Sequence, residues 1–454
     1  MDYGEKNILV LGAGSSGIGA AWVLAQFHAN VVLNDYKPVE FESSTRKKLD
    51  DAGVTIITGR QDNSLLNGVD RIVISPGIAL SIPIVQEAFN RHIEVVSEVE
   101  LAYDVCKSPI LGVTGTNGKT TTTTLLTQVM ESTGLPIKVG GNIGDSLSEA
   151  AFNMPEGGYL IAELSSYQLE TIKSFCPLGA IVLNVTPDHL ARHKTMENYA
   201  AVKARIFMNQ NAENFVVLND DDPIVAAMKK DAHSKILSIS QHHKVECGAY
   251  FEGNTCYAVL DGNVISVIDT EQIHIKGAHN IENILSVIAL TYALGVDVER
   301  IKHTIENFHG VEHRLERVTT IHDVTFYNDS KATNTDSVVK ALDAFDKPVI
   351  LLAGGHDKMT PLEDFMNVVK ENTKEVIFMG EAAERFESVA TKVGVTNIHR
   401  AQSMKEAVEL GYKLAEPSDI VLLSPACSSF DWYSCFEERG DDFKKCVKEL
   451  EERG

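Results

Sequence analysis

Short runs of aliphatic and β-branched residues alternate with longer stretches of helical spacing from the start of the chain. The runs at 8–11, 31–33, 54–58 and 71–75 read as strands, and a helix is predicted between the first two, over 16–28. That alternation predicts a parallel βαβ domain, ending between 99 and 107 ahead of Ser108-Pro109. The apolar run at 110–113 opens a new unit, with strands at 159–163, 180–184, 215–219 and 236–240, a hairpin-like region at 250–268, and helices at 279–294 and 298–308. After Gly310 the alternation restarts, with strands at 349–353, 375–379 and 419–423. Neither a tandem repeat nor a low-complexity linker interrupts the series. The expected fold is therefore α/β in three domains: Rossmann-like over 1–106, a central α/β domain over 107–310 whose loop Gly115-Thr116-Asn117-Gly118-Lys119-Thr120 gives it a P-loop-type ATPase reading, and a second Rossmann-like domain over 311–454.

Bulk properties narrow the partners. With 454 residues, 44% of them apolar, the chain can bury several cores, and 41 basic against 63 acidic residues leave a net charge of −22. So acidic a surface repels phosphate backbones and anionic lipid heads, which argues against nucleic acid and membrane partners. Seven scattered cysteines without a Cys-x-x-Cys pair read as reduced thiols. With no leader pattern and no apolar run of roughly 20 residues, a cytoplasmic location is expected.

Two loops bear the marks of phosphate binding. Gly115-Thr116-Asn117-Gly118-Lys119-Thr120-Thr121 follows the strand at 110–113 and precedes a helix-compatible stretch. Its glycines let backbone N–H groups turn toward an anion at the positive end of the helix. Lys119 would reach the terminal phosphates of ATP and Thr120 would ligate Mg2+. The full eight-residue P-loop pattern is not met, because Val113 stands where its first glycine would be. Earlier, Gly12-Ala13-Gly14-Ser15-Ser16-Gly17 with Asp35 beyond fits a dinucleotide fingerprint. That motif reports a diphosphate and so leaves NAD and a UDP-sugar both open. Ser75-Pro76-Gly77-Ile78 is either a further backbone turn on the same rim or an ordinary βα turn.

Metal-binding and catalytic candidates cluster at predicted strand ends. Glu163 closes the run 159–163 before Leu164-Ser165-Ser166, a place for a cation ligand; His189 is either a ligand or a surface-loop residue. Lys203, in a helical stretch, has solvent exposure as its ordinary reading. Gly277-Ala278-His279-Asn280-Ile281-Glu282-Asn283, after Lys276, sets two amides three apart, suited either to an adenine edge or, for Asn280, to a helix cap. Arg314, after His313, could reach phosphate. Three polar clusters, Tyr327 to Asn334, Gly354 to Lys358 and Ser424 to Asp431, follow strands of the last domain and describe a binding rim.

In this order and over essentially its whole length, with Gly141-Asn142-Ile143-Gly144 among the shared motifs, the chain resembles the Mur ligase family. Asn117, Asp357-Lys358 after two glycines, and Ser424-Pro425-Ala426-Cys427-Ser428-Ser429 point to the member that adds D-glutamate to UDP-N-acetylmuramoyl-L-alanine in peptidoglycan precursor synthesis. The resemblance implies that Lys119 and the loop from Gly115 to Thr121 hold the ATP phosphates, with Thr120 and Glu163 on one Mg2+. Glu163, His189 and a carbamylated Lys203 would hold a second. Asn280 and Asn283 would lie at the adenine, and Arg314, Asp329 and Lys331 near the ribose and phosphates. Asn142 and His189 would touch the muramoyl part, and Ser15, Ser16, Asp35, Tyr36, Lys37 and Gly77 the uridine diphosphate. Thr333, Lys358, Ser429, Phe430 and Phe436 would receive D-glutamate, Lys358 pairing with its side-chain carboxylate. The implied chemistry is an acyl phosphate attacked by the amine of D-glutamate in a monomer whose last domain swings to exclude water. Competing readings are a nucleotide-sensing module without catalysis, a dehydrogenase, and another amino-acid-adding ligase, including a folylpolyglutamate type.

Overall fold

The computed structural model describes residues 3–275, 277–345, 347–357, 359 and 362–453, with backbone alone for 191, 336 and 340. Strands β1 (Asn7–Leu11), β2 (Asn30–Asp35), β3 (Thr55–Thr58), β4 (Arg71–Ile74) and β5 (Glu94–Ser97) form a first sheet in the order β3-β2-β1-β4-β5. Every pair in it is parallel. The order reverses between β1 and β4, and such a switch opens a crevice beyond the strands' carboxyl ends. Both glycine-containing turns, Gly12 to Gly17 and Ser75 to Ile78, follow those two strands. β2 runs two residues past its apolar run because the Asn34 amide donates to the Ile57 and Arg60 carbonyls.

The second sheet contains β6 (Ile110–Thr114), β7 (Ile137–Gly141), β8 (Tyr159–Glu163), β9 (Gly179–Val182), β10 (Phe215–Asn219), β11 (Lys235–Ser240), β12 (Gly248–Glu252), β13 (Thr255–Leu260) and β14 (Asn263–Asp269). Their order is β14-β13-β12-β11-β10-β9-β6-β8-β7, antiparallel only across β12, β13 and β14. β6 is thus flanked by β8 and β9, so the loop after Thr114 emerges between Glu163 and the end of β9. Helices Lys119–Glu131 and Ala278–Ala293 share one core, in which Leu125, Leu126 and Val129 meet Ile284, Leu285 and Ile288.

These two sheets belong to one compact unit, Met1–Phe308. The expected junction near residue 106 is preceded by helix Glu98–Val105. Glu98 is buried and accepts from the Ser148 amide (3.0 Å) and hydroxyl (2.9 Å) on the central side. Helix Ser15–Gln26 approaches the same place so closely that a Cβ on Gly19 would lie 1.8 Å from Ser146 Oγ. Trp22 and Phe27 both meet Phe152 edge-on.

The other compact unit, His309–Gly454, holds β15 (Glu316–Ile321), β16 (Val324–Asn328), β17 (Val349–Gly354), β18 (Thr373–Met379), β19 (Ile398–Ala401) and β20 (Ile420–Leu423). The sheet order is β15-β16-β20-β17-β18-β19, parallel apart from the β15/β16 hairpin. The three polar clusters follow β16, β20 and β17, which are neighbours. Among the described residues no helix is long and apolar enough to cross a membrane, and all seven cysteines are free thiols.

Candidate active site

The loop after β6 is set by its glycines and by one asparagine. Gly118 has φ +82°, and a Cβ there would lie 2.3 Å from Asn283 Oδ1, so this left-handed position beside a packed amide suits glycine alone. Asn184, two residues past β9, accepts the Thr116 and Asn117 amides at 3.1 and 2.8 Å through its side-chain oxygen. Those two amides therefore hold the loop together. The first turn of Lys119–Glu131, where helix geometry leaves N–H groups without intrahelical acceptors, is the part built to meet an anion. Thr120 is buried in that turn.

Two lysines converge on one carbonyl. Lys119 Nζ donates to Gly115 O (3.0 Å) and Thr116 O (2.8 Å), and Lys203 Nζ donates to the same Gly115 O (2.7 Å). Lys203, from helix Met196–Ala204, is 1% exposed, against the ordinary expectation for a helix lysine. Burial, with Lys119 second, pulls its amine down to about 7. Its ammonium lies 4.5 Å from the Tyr199 ring centroid, and the Tyr199 hydroxyl meets Thr116 Oγ1 at 3.3 Å. His189 lies beyond, its ring 6.3 Å from Tyr199 and 5.0 Å from Tyr167, in a left-handed backbone (φ 54°) uncommon outside glycine. Asp188 Oδ2 stands 3.6 Å from His189 Nε2.

Glu163, at the end of β8 and opposite Val113 of β6, is fully buried. Its Oε1 accepts from Asn142 Nδ2 at 2.8 Å, while its Oε2 has no hydrogen-bond partner among the described residues. A buried carboxylate oxygen left unmatched costs about 1–3 kcal/mol or more, and a cation would satisfy it. The Thr120 hydroxyl and the Glu163 carboxylate are hard oxygen donors of the kind that Mg2+ takes.

Asn280 and Asn283 hold each other, Asn283 Nδ2 donating to Asn280 Oδ1 at 3.1 Å, while Thr122 Oγ1 donates to Asn283 Oδ1. Gly277, not Asn280, occupies the cap position of that helix. In the first sheet Asp35 accepts the Ala13 and Lys37 amides, both at 2.9 Å, tying the glycine loop to the turn that exposes Tyr36 and Lys37. Ser15 and Gly77 are exposed and Ser16 is half-buried; among the described residues nothing lies within 4 Å of a Cβ built on Gly77.

In the His309–Gly454 unit, Asp329 is buried, accepting from Ser424 Oγ (2.6 Å) and Leu315 N (3.2 Å), and burial raises its carboxyl to about 7. Arg314 is exposed, Thr333 half-buried, Ser429 buried and Phe430 69% exposed. Lys331 Nζ lies 5.8 Å from the Phe436 ring centroid. Lys358 and Lys276 fall outside the described residues. One organiser escapes sequence reading: Arg439, 2% exposed, donates to Ser330 Oγ, Ser330 O and Cys427 O, joining the loops after β16 and β20. Asn184 was legible in principle, as an amide side chain next to the strand that carries the phosphate loop.

A phosphate-type loop after the central strand β6, a buried carboxylate with one unmatched oxygen and a second glycine turn of the same kind on the first sheet describe a three-sheet α/β protein of the nucleotide-binding class. Residues 6–97 match the Mur ligase MurD-like N-terminal domain, 113–291 the Mur ligase middle domain, and 313–427 the Mur ligase glutamate ligase domain. The chain belongs to the Mur ligase family. Its relatives include proteins named UDP-N-acetylmuramoylalanine--D-glutamate ligase from Thermoanaerobacter pseudethanolicus, 41% identical over 99% of this chain and 100% of that one, and from Caldanaerobacter subterraneus, 42% identical with the same coverage. Among solved structures, UDP-N-acetylmuramate-alanine ligase from Thermotoga maritima aligns with TM-score 0.56 at 18% identity, covering 98% of this chain and 99% of that one. MurF from Acinetobacter baumannii aligns at 0.57 and 16%, covering 96% and 93%. At such identities these two structures speak for the fold alone.

Proposed function

We propose that the protein joins D-glutamate to UDP-N-acetylmuramoyl-L-alanine with ATP, through an acyl phosphate, in peptidoglycan precursor synthesis. The observation that carries the reading is the junction at Gly115 O, where the phosphate-loop Lys119 and the buried Lys203 meet on one carbonyl. The choice of D-glutamate follows the name of relatives about two-fifths identical over their full length.

A carboxylate is a poor electrophile, so the L-alanyl carboxylate first attacks the ATP γ-phosphate. Lys119 leaves its loop carbonyls to neutralise the charge that develops there. The amine of D-glutamate then attacks the acyl carbon, forming the amide and expelling phosphate. That amine must be unprotonated, and the surroundings of His189 are the place for the base. Thr120 and Glu163 would hold one Mg2+, and Glu163, His189 and carbamylated Lys203 a second, supplying Lewis-acid charge neutralisation when bound. For the carbamate, the neutral Lys203 amine adds to CO2 and loses a proton, converting a buried cation into a carboxylate-like ligand; an amine desolvated to this degree is the nucleophile the step needs.

In this reading Gly115 to Thr121, Asn280 and Asn283 of the one unit, and Arg314, Asp329 and Lys331 of the other, serve ATP. Ser15, Ser16, Asp35, Tyr36, Lys37, Gly77 and Asn142 serve the UDP-linked acid. Thr333, Lys358, Ser429, Phe430 and Phe436 serve D-glutamate. The working unit is a monomer with domains divided at 106/107 and 310/311. Phosphate release from ATP, measured with UDP-N-acetylmuramoyl-L-alanine and a panel of amino acids, should require D-glutamate. Release with L-alanine, a diamino acid or L-glutamate in its place overturns the assignment. Oxygen-18 placed in the substrate carboxylate should appear in the released phosphate.

A further inference from the structure

Arg192 does more than decorate the turn that follows His189. It lies on the helical turn Leu190–His193 in the central part of the Met1–Phe308 unit, and its guanidinium is used on every side. Toward the first sheet, Nη1 donates to Pro76 O (3.2 Å) and Nη2 to Ile78 O (2.9 Å), the two carbonyls that flank Gly77. Toward the central sheet, Nε and Nη2 grip both oxygens of Glu170 at 2.9 and 2.5 Å. Its plane lies over the Tyr167 ring, 4.4 Å from carbon to centroid, and Tyr167 in turn meets the His189 ring at 5.0 Å. Both ends of the ion pair are largely shielded, with side chains 18% and 12% exposed.

The supports of this pair are as fixed as the pair itself. Glu170 ends the short helix Ser166–Leu169, which begins three residues after Glu163 and is closed by a capping box between Ser165 and Gln168. His193 Nε2 meets Ser166 Oγ at 2.9 Å, fastening the Arg192 turn to the same helix. On the far side the Gly77 turn is closed by Ile78 N to Ser75 O (3.0 Å), and Ser75 Oγ reaches Gly12 O (3.2 Å) in the other glycine loop of the first sheet. One guanidinium therefore links the short helix that follows β8 and its terminal Glu163 to the turn at the end of β4. A planar fork with five donors is needed to hold two carbonyls and a carboxylate together; lysine offers one point charge and no stacking plane.

We propose that the Arg192–Glu170 pair is a positioning clamp that fixes the span between the diphosphate anchor at Gly77 and the phosphoryl-transfer centre at Glu163 and His189. The clamp presents the substrate carboxylate at attack distance once the distant diphosphate is held. It rests on the proposed function, since the span matters only for an acid tethered to a nucleotide diphosphate. Energy from the non-reacting end of a substrate is useful for rate only if the frame between the ends is stiff, and misplacement by about 1 Å can cost on the order of a hundredfold.

The test compares wild type, Arg192→Lys and Glu170→Gln in phosphate release with UDP-N-acetylmuramoyl-L-alanine, D-glutamate and ATP, alongside calorimetric binding of UDP alone. Both variants should lose about tenfold to a hundredfold in kcat, Glu170→Gln the less, while the affinity for UDP and the KM for ATP stay within about twofold of wild type. An unchanged kcat in both variants overturns the clamp. So does a joint loss of kcat, UDP affinity and ATP KM with a lowered melting temperature, because that is general loosening of the fold. Failure of the underlying function has a different signature, since wild type itself would then release no phosphate with this substrate pair.

Discussion

At the scale of single residues, burial displaces one group in each compact unit from its ordinary ionisation. Lys203 is the sharper case: desolvation, with a second ammonium beside it, pulls its amine down to about 7, and the neutral amine is the form that the proposed addition to CO2 requires. If the carbamate serves as a ligand, Lys203→Ala should lower turnover by on the order of a hundredfold, and added acetate or formate should restore part of it. A variant that is inactive and indifferent to carboxylic acids while still binding nucleotide would exclude that role. Asp329 shifts the opposite way, up to about 7, because burial disfavours its charged form more than Ser424 and the Leu315 amide stabilise it. In the unfolded chain the same carboxyl releases its proton near pH 4. Between pH 4 and 7 the folded state therefore holds a proton that the unfolded state has lost, and stability falls as pH rises, by at most about 1.4 kcal/mol per pH unit. Urea unfolding from pH 5 to 8 should show that decline in wild type and a shallower one in Asp329→Asn; identical slopes would mean that the carboxyl is ionised throughout.

At the scale of elements, the working part is the strand, loop and helix from β6 to Glu131, and its tightest point is Gly118. Alanine there meets two penalties: a left-handed φ of +82°, costing about 1–2 kcal/mol, and a Cβ 2.3 Å from Asn283 Oδ1. Gly118→Ala should lower thermal stability and weaken ADP binding, and Asn283→Ala in the same chain should recover only the contact part of the lost stability. Full recovery would show that the backbone conformation is not strained. This loop was legible in the residues because its chemistry is local, with two glycines, a lysine and a hydroxyl inside seven positions. Strands β5 and β7 were not, because Glu94–Ser97 is short and half polar and Ile137–Gly141 ends in glycines, so their pairing is decided by neighbouring strands. The burial of Lys203 and the anchoring of Arg439 on Ser330, 109 positions away, are likewise products of tertiary packing. Helical spacing alone places lysine and arginine in solvent. Glu163 lay between these cases: its strand end was readable, whereas its unmatched oxygen needed coordinates.

For the whole molecule, the net charge of −22 opposes every reactant in the proposed function, since ATP, the UDP-linked acid and D-glutamate are all anions at neutral pH. Attraction then has to come from local sources, such as Lys119 and the helix start beside it, whose contacts are short and poorly screened. The repulsion is long-ranged and exposed, so salt removes it first: the screening length falls from about 30 Å at 0.01 M to about 8 Å at 0.15 M ionic strength. Raising KCl across that interval at constant free Mg2+ should therefore leave kcat nearly unchanged and raise kcat/KM for the UDP-linked acid by about two- to threefold. A basic cleft that steers its substrate would behave oppositely, with kcat/KM falling steeply over the same range. Initial rates at subsaturating UDP-N-acetylmuramoyl-L-alanine decide the sign, and a steep fall would mean that the field at the site mouth is positive despite the acidity of the chain as a whole.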